Sequence, residues 1–163
     1  MITFNNKNKG FALIEITVAI GIAATFFFGM LQFINTSART MRSERYTREA
    51  GLLLAEGQYA VKFMRDAGWT AYISSLSLEA TYYISPSGNS WSFTTNDPGV
   101  ISGLYTRTLV LHEVLRDASG NIVSAGGTAD ANSRRVTATI TWSGPYGARN
   151  ITSAFYVNNI FRN

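Results

Sequence analysis

Residues 11–34 read FALIEITVAIGIAATFFFGMLQFI and contain a single charge, that of Glu15. Thirteen of these residues are Phe, Leu, Ile or Val, and about 20 apolar residues in a helix span a bilayer. Each of the thirteen favours insertion by about 0.3 to 0.6 kcal/mol, which together outweighs the cost of one acid, about 2.5 to 3.5 kcal/mol. The stretch therefore predicts a membrane-spanning helix.

Three other interpretations of this apolar stretch are open. A buried helix of a soluble protein rarely runs beyond about 20 residues without polar interruption. A secretory signal peptide has an apolar core of about 7 to 15 residues and a small-residue cleavage site, whereas the best late site here, Thr36-Ser37-Ala38, is poor. A plain signal anchor fits the length but leaves Glu15 unexplained, because an isolated carboxylate in a membrane is costly and usually functional.

The residues around the start of the stretch carry a family resemblance. KGFALIE at residues 9–15, followed by TVAI at 17–20, resembles the class III signal of type IV pilins and pseudopilins. The resemblance implies that a prepilin peptidase cuts after Gly10 and methylates the new N-terminal residue, Phe11. It also implies that Glu15 is the fifth residue of the mature chain and acts in assembly.

This resemblance gives both Gly10 and Glu15 a physical role. A residue without a side chain lets a protease approach the backbone closely, which suits Gly10. Cleavage would free the α-amine of Phe11 at the membrane surface, where isolated charges are heavily penalised. The carboxylate of Glu15 in a neighbouring subunit is the expected counter-charge.

Four arginines follow the apolar stretch, at Arg39, Arg42, Arg45 and Arg48. They outnumber the leader lysines Lys7 and Lys9, so the charge distribution by itself does not put the C-terminus outside. The family resemblance implies that the C-terminus is outside, because it implies a dedicated insertion route. Three acids are interleaved with or follow the arginines, at Glu44, Glu49 and Glu56. A solvated or intersubunit helix face is therefore favoured over contact with DNA or lipid head groups.

The helix is predicted to continue beyond the apolar stretch. No proline occurs between Phe11 and Gly68, and one apolar stripe recurs at spacings of three and four. Its members are Tyr46, Ala50, Leu53, Leu54, Gly57, Ala60, Val61 and Met64. Asp66-Ala67-Gly68 predicts the end of the helix, with Gly68 in the C′ position. Four glycines weaken it by about 1 kcal/mol each relative to alanine, at Gly21, Gly29, Gly51 and Gly57.

Residues 69–163 change to a period of two and predict an antiparallel sheet. Residues 135–143 alternate most clearly, and residues 143–147 predict a turn before a returning strand that includes residues 151–157. Further strands are predicted at 105–115 and 122–123, with a loop at 125–133, and a small hairpin is predicted around residues 86–89. The last two strands loosely resemble those of V-type minor pilins and I-type minor pseudopilins.

Composition argues against a conventional hydrolase. The 163 residues include no cysteine and one histidine, which excludes thiolate metal sites and cysteine nucleophiles. The net charge of +4 is too small to indicate nucleic-acid binding. No catalytic residue, metal site or cofactor is predicted.

Two local features of the sequence are candidate sites. Asp117-Ala118-Ser119-Gly120-Asn121 resembles the start of a calcium loop but lacks the acid expected at the twelfth position, so a turn is favoured. His112 has no recognisable partner in the sequence and is interpreted as a core or surface histidine. The aromatic residues of the sheet region are interpreted as core.

The sequence thus predicts an α+β, pilin-like fold with four segments. They are a leader at residues 1–10, a membrane and assembly half of the helix at 11–38, an amphipathic half at 39–68, and a β-sheet head at 69–163. We expect a structural, minor subunit of a type IV pilus or pseudopilus in the bacterial cytoplasmic membrane, with its C-terminus extracytoplasmic. Its expected partners are other pilin subunits, prepilin peptidase and the inner-membrane assembly platform. The alternative is a membrane-anchored receptor or adhesin.

Overall fold

The computed structural model describes residues 9–88, 90–144 and 147–161 and places one long helix before a six-stranded sheet. The chain forms two compact units, Met1–Arg45 and Tyr46–Asn163. The first eight residues of the predicted leader lie outside the described residues. So do Asn89, Pro145 and Tyr146, which belong to the two predicted hairpin turns.

Helix α1 runs over Lys9–Ala67, 59 residues, and none of its glycines interrupts it. Its predicted end is confirmed, but the C′ role of Gly68 is wrong, since Gly68 does not adopt the left-handed conformation. Its amide donates to the Met64 carbonyl at 3.2 Å, and the chain continues into a short π-helical segment, Thr70–Ser74. This continuation brings Trp69 and Ile73, 3% and 0% exposed, into the core.

The sheet is antiparallel throughout its described pairings. Its strands are β1 (Thr81–Ser87), β2 (Ser90–Thr94), β3 (Tyr105–Arg116), β4 (Ile122–Val123), β5 (Thr128–Gly144) and β6 (Gly147–Asn158). They are ordered β2-β1-β3-β5-β6, and β4 pairs with β3. Pro86 in β1 pairs only with Trp91 of β2, which fits proline because the strand has no second neighbour there.

The predicted loop at residues 125–133 is wrong from Thr128 onward, because β5 begins at that residue. Thr128 and Ala129 pair with Arg116 and Leu115, after a register shift in β3 between Glu113 and Leu115. This part of β5 lacks an apolar alternation, so the sequence pattern did not indicate it. An ion pair between Arg116 Nε and Asp130 Oδ2 at 2.6 Å spans the two strands instead.

The core lies between the sheet and the part of α1 from Tyr46 onward. The predicted apolar stripe is confirmed, since all of its members are buried or half-buried. Ala60, Val61 and Met64 pack with residues of β1, β3, β5 and β6 in the larger cluster. Ala50 packs with Tyr105, Ile140 and Trp142 in the smaller one. The predicted α+β class, a long N-terminal helix packed on an antiparallel sheet, is confirmed.

Candidate functional site

The first candidate site is the surface of α1 over residues 11–38, which is almost entirely exposed. Large apolar side chains are exposed along it: Phe11, Leu13, Ile14, Ile16, Val18, Ile20, Ile22, Phe26, Phe27, Phe28, Met30, Leu31, Phe33 and Ile34. The helix contains an 18-residue window of mean hydropathy 2.2, none of which is buried. By length and composition α1 is a candidate membrane span.

The hydroxyl groups of Thr17 and Thr25 within this surface are satisfied by the helix itself. Thr17 donates to the carbonyl oxygen of Leu13, and Thr25 donates to Ile22 and Gly21 at 2.8 and 3.1 Å. Such bonds to the preceding turn let a hydroxyl enter an apolar medium without water. Glu15 is the one charged side chain in residues 11–34, and no such bond satisfies its carboxylate among the described residues.

The predicted site residues lie at the start of α1, and the peptide bond between Gly10 and Phe11 is within the helix. The Phe11 side chain is 82% exposed, and Glu15 lies about one turn further along. Among the described residues no hydrogen bond or ion pair engages the carboxylate of Glu15. Cleavage, methylation and assembly at these residues stay predictions.

Arg107 forms a second polar feature, buried between α1 and the sheet. Its side chain is 5% exposed, its Nη1 donates to the Leu53 carbonyl at 3.0 Å, and it is 3.6 Å from Glu56 Oε1. Desolvation lowers the pKa of Arg107, and the Glu56 carboxylate partly opposes that shift. Gly57 makes room for it, since a Cβ there would lie 3.0 Å from Arg107 Cδ.

A third feature lies on the sheet face opposite α1 and was missed by sequence reasoning. His112 Nδ1 is 2.8 Å from Glu79 Oε1, and its Nε2 is 2.9 Å from Thr137 Oγ1. Glu79 has a φ of 61°, and its amide donates to the Leu111 carbonyl at 2.9 Å. Histidine and glutamate are 33 residues apart, so no local pattern signals this pair.

The hydroxyl, imidazole and carboxylate follow the order of a nucleophile, a base and an orienting acid. Catalysis also needs free donors for a developing oxyanion. Thr137, however, lies within β5 and pairs with Val110 on one side and Ala154 on the other, so the ladders occupy the nearby backbone. The arrangement is best described as a hydrogen-bonded link between the turn that contains Glu79 and the sheet.

The calcium-like pattern forms a turn. Asp117 Oδ1 accepts the amides of Ser119 and Asn121 at 2.9 and 2.8 Å, and Oδ2 accepts from the Asn121 side chain at 3.1 Å. The Asn121 side chain, followed by its amide, lowers the pKa of Asp117. Within the three described ranges no group of three or more His, Asp or Glu residues is arranged to hold a metal.

Comparison with known proteins adds no relative to this picture. No protein-family model matches the chain, and no curated protein or solved structure is significantly similar to it.

Proposed function

We propose that this protein is a structural, minor subunit of a type IV pilus or pseudopilus. Prepilin peptidase cleaves it after Gly10 and methylates Phe11, and it assembles through α1 with other pilin subunits on an inner-membrane platform. No catalytic step of its own is part of this proposal. The mature chain lies in the bacterial cytoplasmic membrane with its C-terminus extracytoplasmic until it enters the filament.

The observation that carries the proposal is the carboxylate of Glu15, which no described residue engages, within an exposed apolar helix surface. A helix that serves only as an anchor gains nothing from this acid, which makes insertion less favourable. A subunit that meets the free α-amine of a neighbour's Phe11 gains an ion pair in a low dielectric. The motif KGFALIE at residues 9–15 supports the same function.

A membrane-anchored receptor or adhesin is the second candidate function. It is favoured by a cleft of about 470 Å³ beside His112 on the sheet face, a size typical of small-molecule sites. In this function α1 is only an anchor, and Glu15 has no role in assembly.

Replacing Glu15 separates the two candidate functions. Glu15→Ala should ease insertion and leave the sheet intact, but it removes the partner of a buried amine, which costs several kcal/mol for a fully buried pair. Since about 1.4 kcal/mol is a factor of ten, the ratio of sheared-filament to membrane-bound protein should fall about tenfold or more. The ratio is measured by quantitative immunoblotting.

The matched control is Thr17→Val, which removes a polar group half a turn away that is already satisfied by the Leu13 carbonyl. It should leave the ratio unchanged. N-terminal sequencing establishes that wild type and both variants begin at Phe11. An unchanged ratio in Glu15→Ala would reject the assembly role and favour the anchored receptor.

A further inference from the structure

The sheet face opposite α1 contains a cleft of about 470 Å³ beside the His112–Glu79 pair. This volume lies within the range of about 300 to 1,000 Å³ typical of small-molecule sites. Its polar lining includes Glu113, Ser124, Arg135 and Tyr156, and Ile122 and Val123 of β4 contribute apolar surface.

The register of the sheet aligns three of the lining side chains. His112 of β3 lies opposite Arg135 of β5, which lies opposite Tyr156 of β6. Neighbouring strands are about 4.8 Å apart, so imidazole, guanidinium and phenol form a row about 10 Å long. Leu111 and Val136, one position away in their strands, are fully buried on the α1 side. The row is therefore held on a rigid scaffold.

Some polar side chains of the cleft already form hydrogen bonds within the protein, and others do not. Both nitrogens of His112 are hydrogen-bonded, to Glu79 and Thr137, so this end of the row is held in place. In the part of the chain that the structure describes, the side chains of Glu113, Ser124, Arg135 and Tyr156 make no hydrogen bond or ion pair. Tyr156 is 48% exposed. These four groups are available to a ligand.

The available groups select the chemistry of that ligand. They offer a carboxylate acceptor, guanidinium donors, a hydroxyl that does both, and an aromatic ring. With Glu79, which is already bound to His112, the cleft holds two carboxylates beside one guanidinium, so the set does not favour an anion. Sugar hydroxyls donate and accept at once, and the C–H face of a sugar ring suits an aromatic ring and an apolar wall. We propose that this cleft binds a neutral saccharide, with Tyr156 and Arg135 as its main contacts.

This site does not depend on the proposed assembly function, because every residue in it lies in the unit Tyr46–Asn163 and Glu15 has no part in it. A purified chain can therefore bind sugar whether or not it forms filaments. The two proposals can fail separately.

Saturation-transfer NMR on the full chain tests the proposal. The protein is held in dodecylphosphocholine, since maltoside and glucoside detergents carry the ligand chemistry themselves. The probes are the methyl glycosides of glucose, galactose, mannose and N-acetylglucosamine, with glucuronate as the charged counterpart of glucose. At least one neutral glycoside should give a saturable signal, with a Kd on the order of 1 mM.

Variants then assign the signal to the cleft. Tyr156→Ala and Arg135→Gln should each weaken binding about tenfold, while Tyr156→Phe should retain it because the ring remains. Tyr59→Ala removes an aromatic ring that is 71% exposed on α1 and should change nothing. Thermal unfolding verifies that each variant is folded, and Arg135→Gln decides the matter if Tyr156→Ala does not fold.

Three results would overturn the proposal. One is the absence of a saturable signal from any neutral glycoside. Another is binding of glucuronate alone, which would identify an anion site. The third is a signal that Arg135→Gln and Tyr156→Ala leave unchanged.

Discussion

At the scale of single residues, Arg107 shows how a charge is accommodated inside the head. Its guanidinium contacts the Leu53 carbonyl and the Glu56 carboxylate, and it lies over the Trp91 ring at 5.8 Å. Its Nε is buried without a partner among the described residues. The desolvation that lowers the pKa of Arg107 is thus only partly offset by neighbours, which makes this residue a costly component of the interface between α1 and the sheet.

Asp130 is the residue for which the structure predicts a pH dependence. Hydrogen bonds from Ser133 and then from Arg116 lower the pKa of Asp130 to about 2 from its ordinary 3.8. A lowered folded-state pKa stabilises the protein above the unfolded-state value, and this contribution is lost as the pH falls from about 4 through 2 to about 1. After allowance for solvent screening it is about 1 kcal/mol at neutral pH.

Asp130→Asn should therefore lower the free energy of unfolding by about 1 kcal/mol at pH 7 and make no difference near pH 1, below both pKa values. Urea denaturation of the full chain in detergent, repeated across this pH range, measures both values. The control is Asp97→Asn, in an exposed loop. Its difference from wild type in the free energy of unfolding should not shrink in this way as the pH falls. An undiminished difference between wild type and Asp130→Asn at about pH 1 would contradict the assigned cause.

At the scale of elements, α1 contains two glycines in the same helix with opposite surroundings. A Cβ at Gly51 would meet no atom within 4 Å, whereas a Cβ at Gly57 would lie 3.0 Å from Arg107 Cδ. Replacing glycine by alanine inside a helix stabilises it by about 0.5 to 1 kcal/mol when space allows. Comparing alanine substitutions at Gly51 and Gly57 therefore separates the effect of helix propensity on stability from the effect of packing against the sheet.

Gly51→Ala should raise the free energy of unfolding by about 0.5 to 1 kcal/mol. Gly57→Ala should raise it less or lower it, since the new methyl group crowds a buried side chain in a close-packed interior. Chemical denaturation of the full chain in detergent compares the two variants with wild type. Equal increases in the free energy of unfolding from both substitutions would show that Arg107 does not constrain α1.

At the scale of the whole molecule, the chain divides into the units Met1–Arg45 and Tyr46–Asn163. Buried apolar residues of the core and exposed apolar residues of the helix belong to different units. Both core clusters belong to the second unit, and the exposed apolar residues at 11–34 belong to the first. Helices in proteins are stabilised mainly by packing of an apolar face. The part of α1 in the second unit retains that packing without the first.

A chain that starts at Tyr46 should consequently stay in solution without detergent and unfold cooperatively. Size-exclusion chromatography and thermal unfolding followed by near-UV circular dichroism provide the measurements. The full chain, with its exposed apolar surface, should require detergent under the same conditions. Loss of the near-UV signal in the shortened chain would mean that the head depends on residues before Tyr46.

The fold class was readable from the sequence because its main signals are local periodicities. The uncharged run after Glu15 predicted the candidate membrane span, the stripe from Tyr46 to Met64 predicted the face of α1 that meets the sheet, and alternation at residues 135–143 predicted the longest ladder. Burial of apolar surface dominates folding, so patterns of apolar residues carry this information within one segment at a time. The KGFALIE motif is local in the same way, and its roles stay predictions.

What the tertiary structure alone decided involves residues that are distant in sequence and polar. The first residues of β5 are held by the ion pair between Arg116 and Asp130 and not by apolar alternation. The contact between Glu79 and His112 joins a turn to a strand. The row from His112 to Tyr156 exists only because of the strand register. Hydrogen bonds and ion pairs depend on the distances and directions between particular atoms, and these are set only when separate elements pack together. The sequence therefore determined which segments form the helix and the sheet, whereas the cleft and the buried Arg107 follow from how those elements meet.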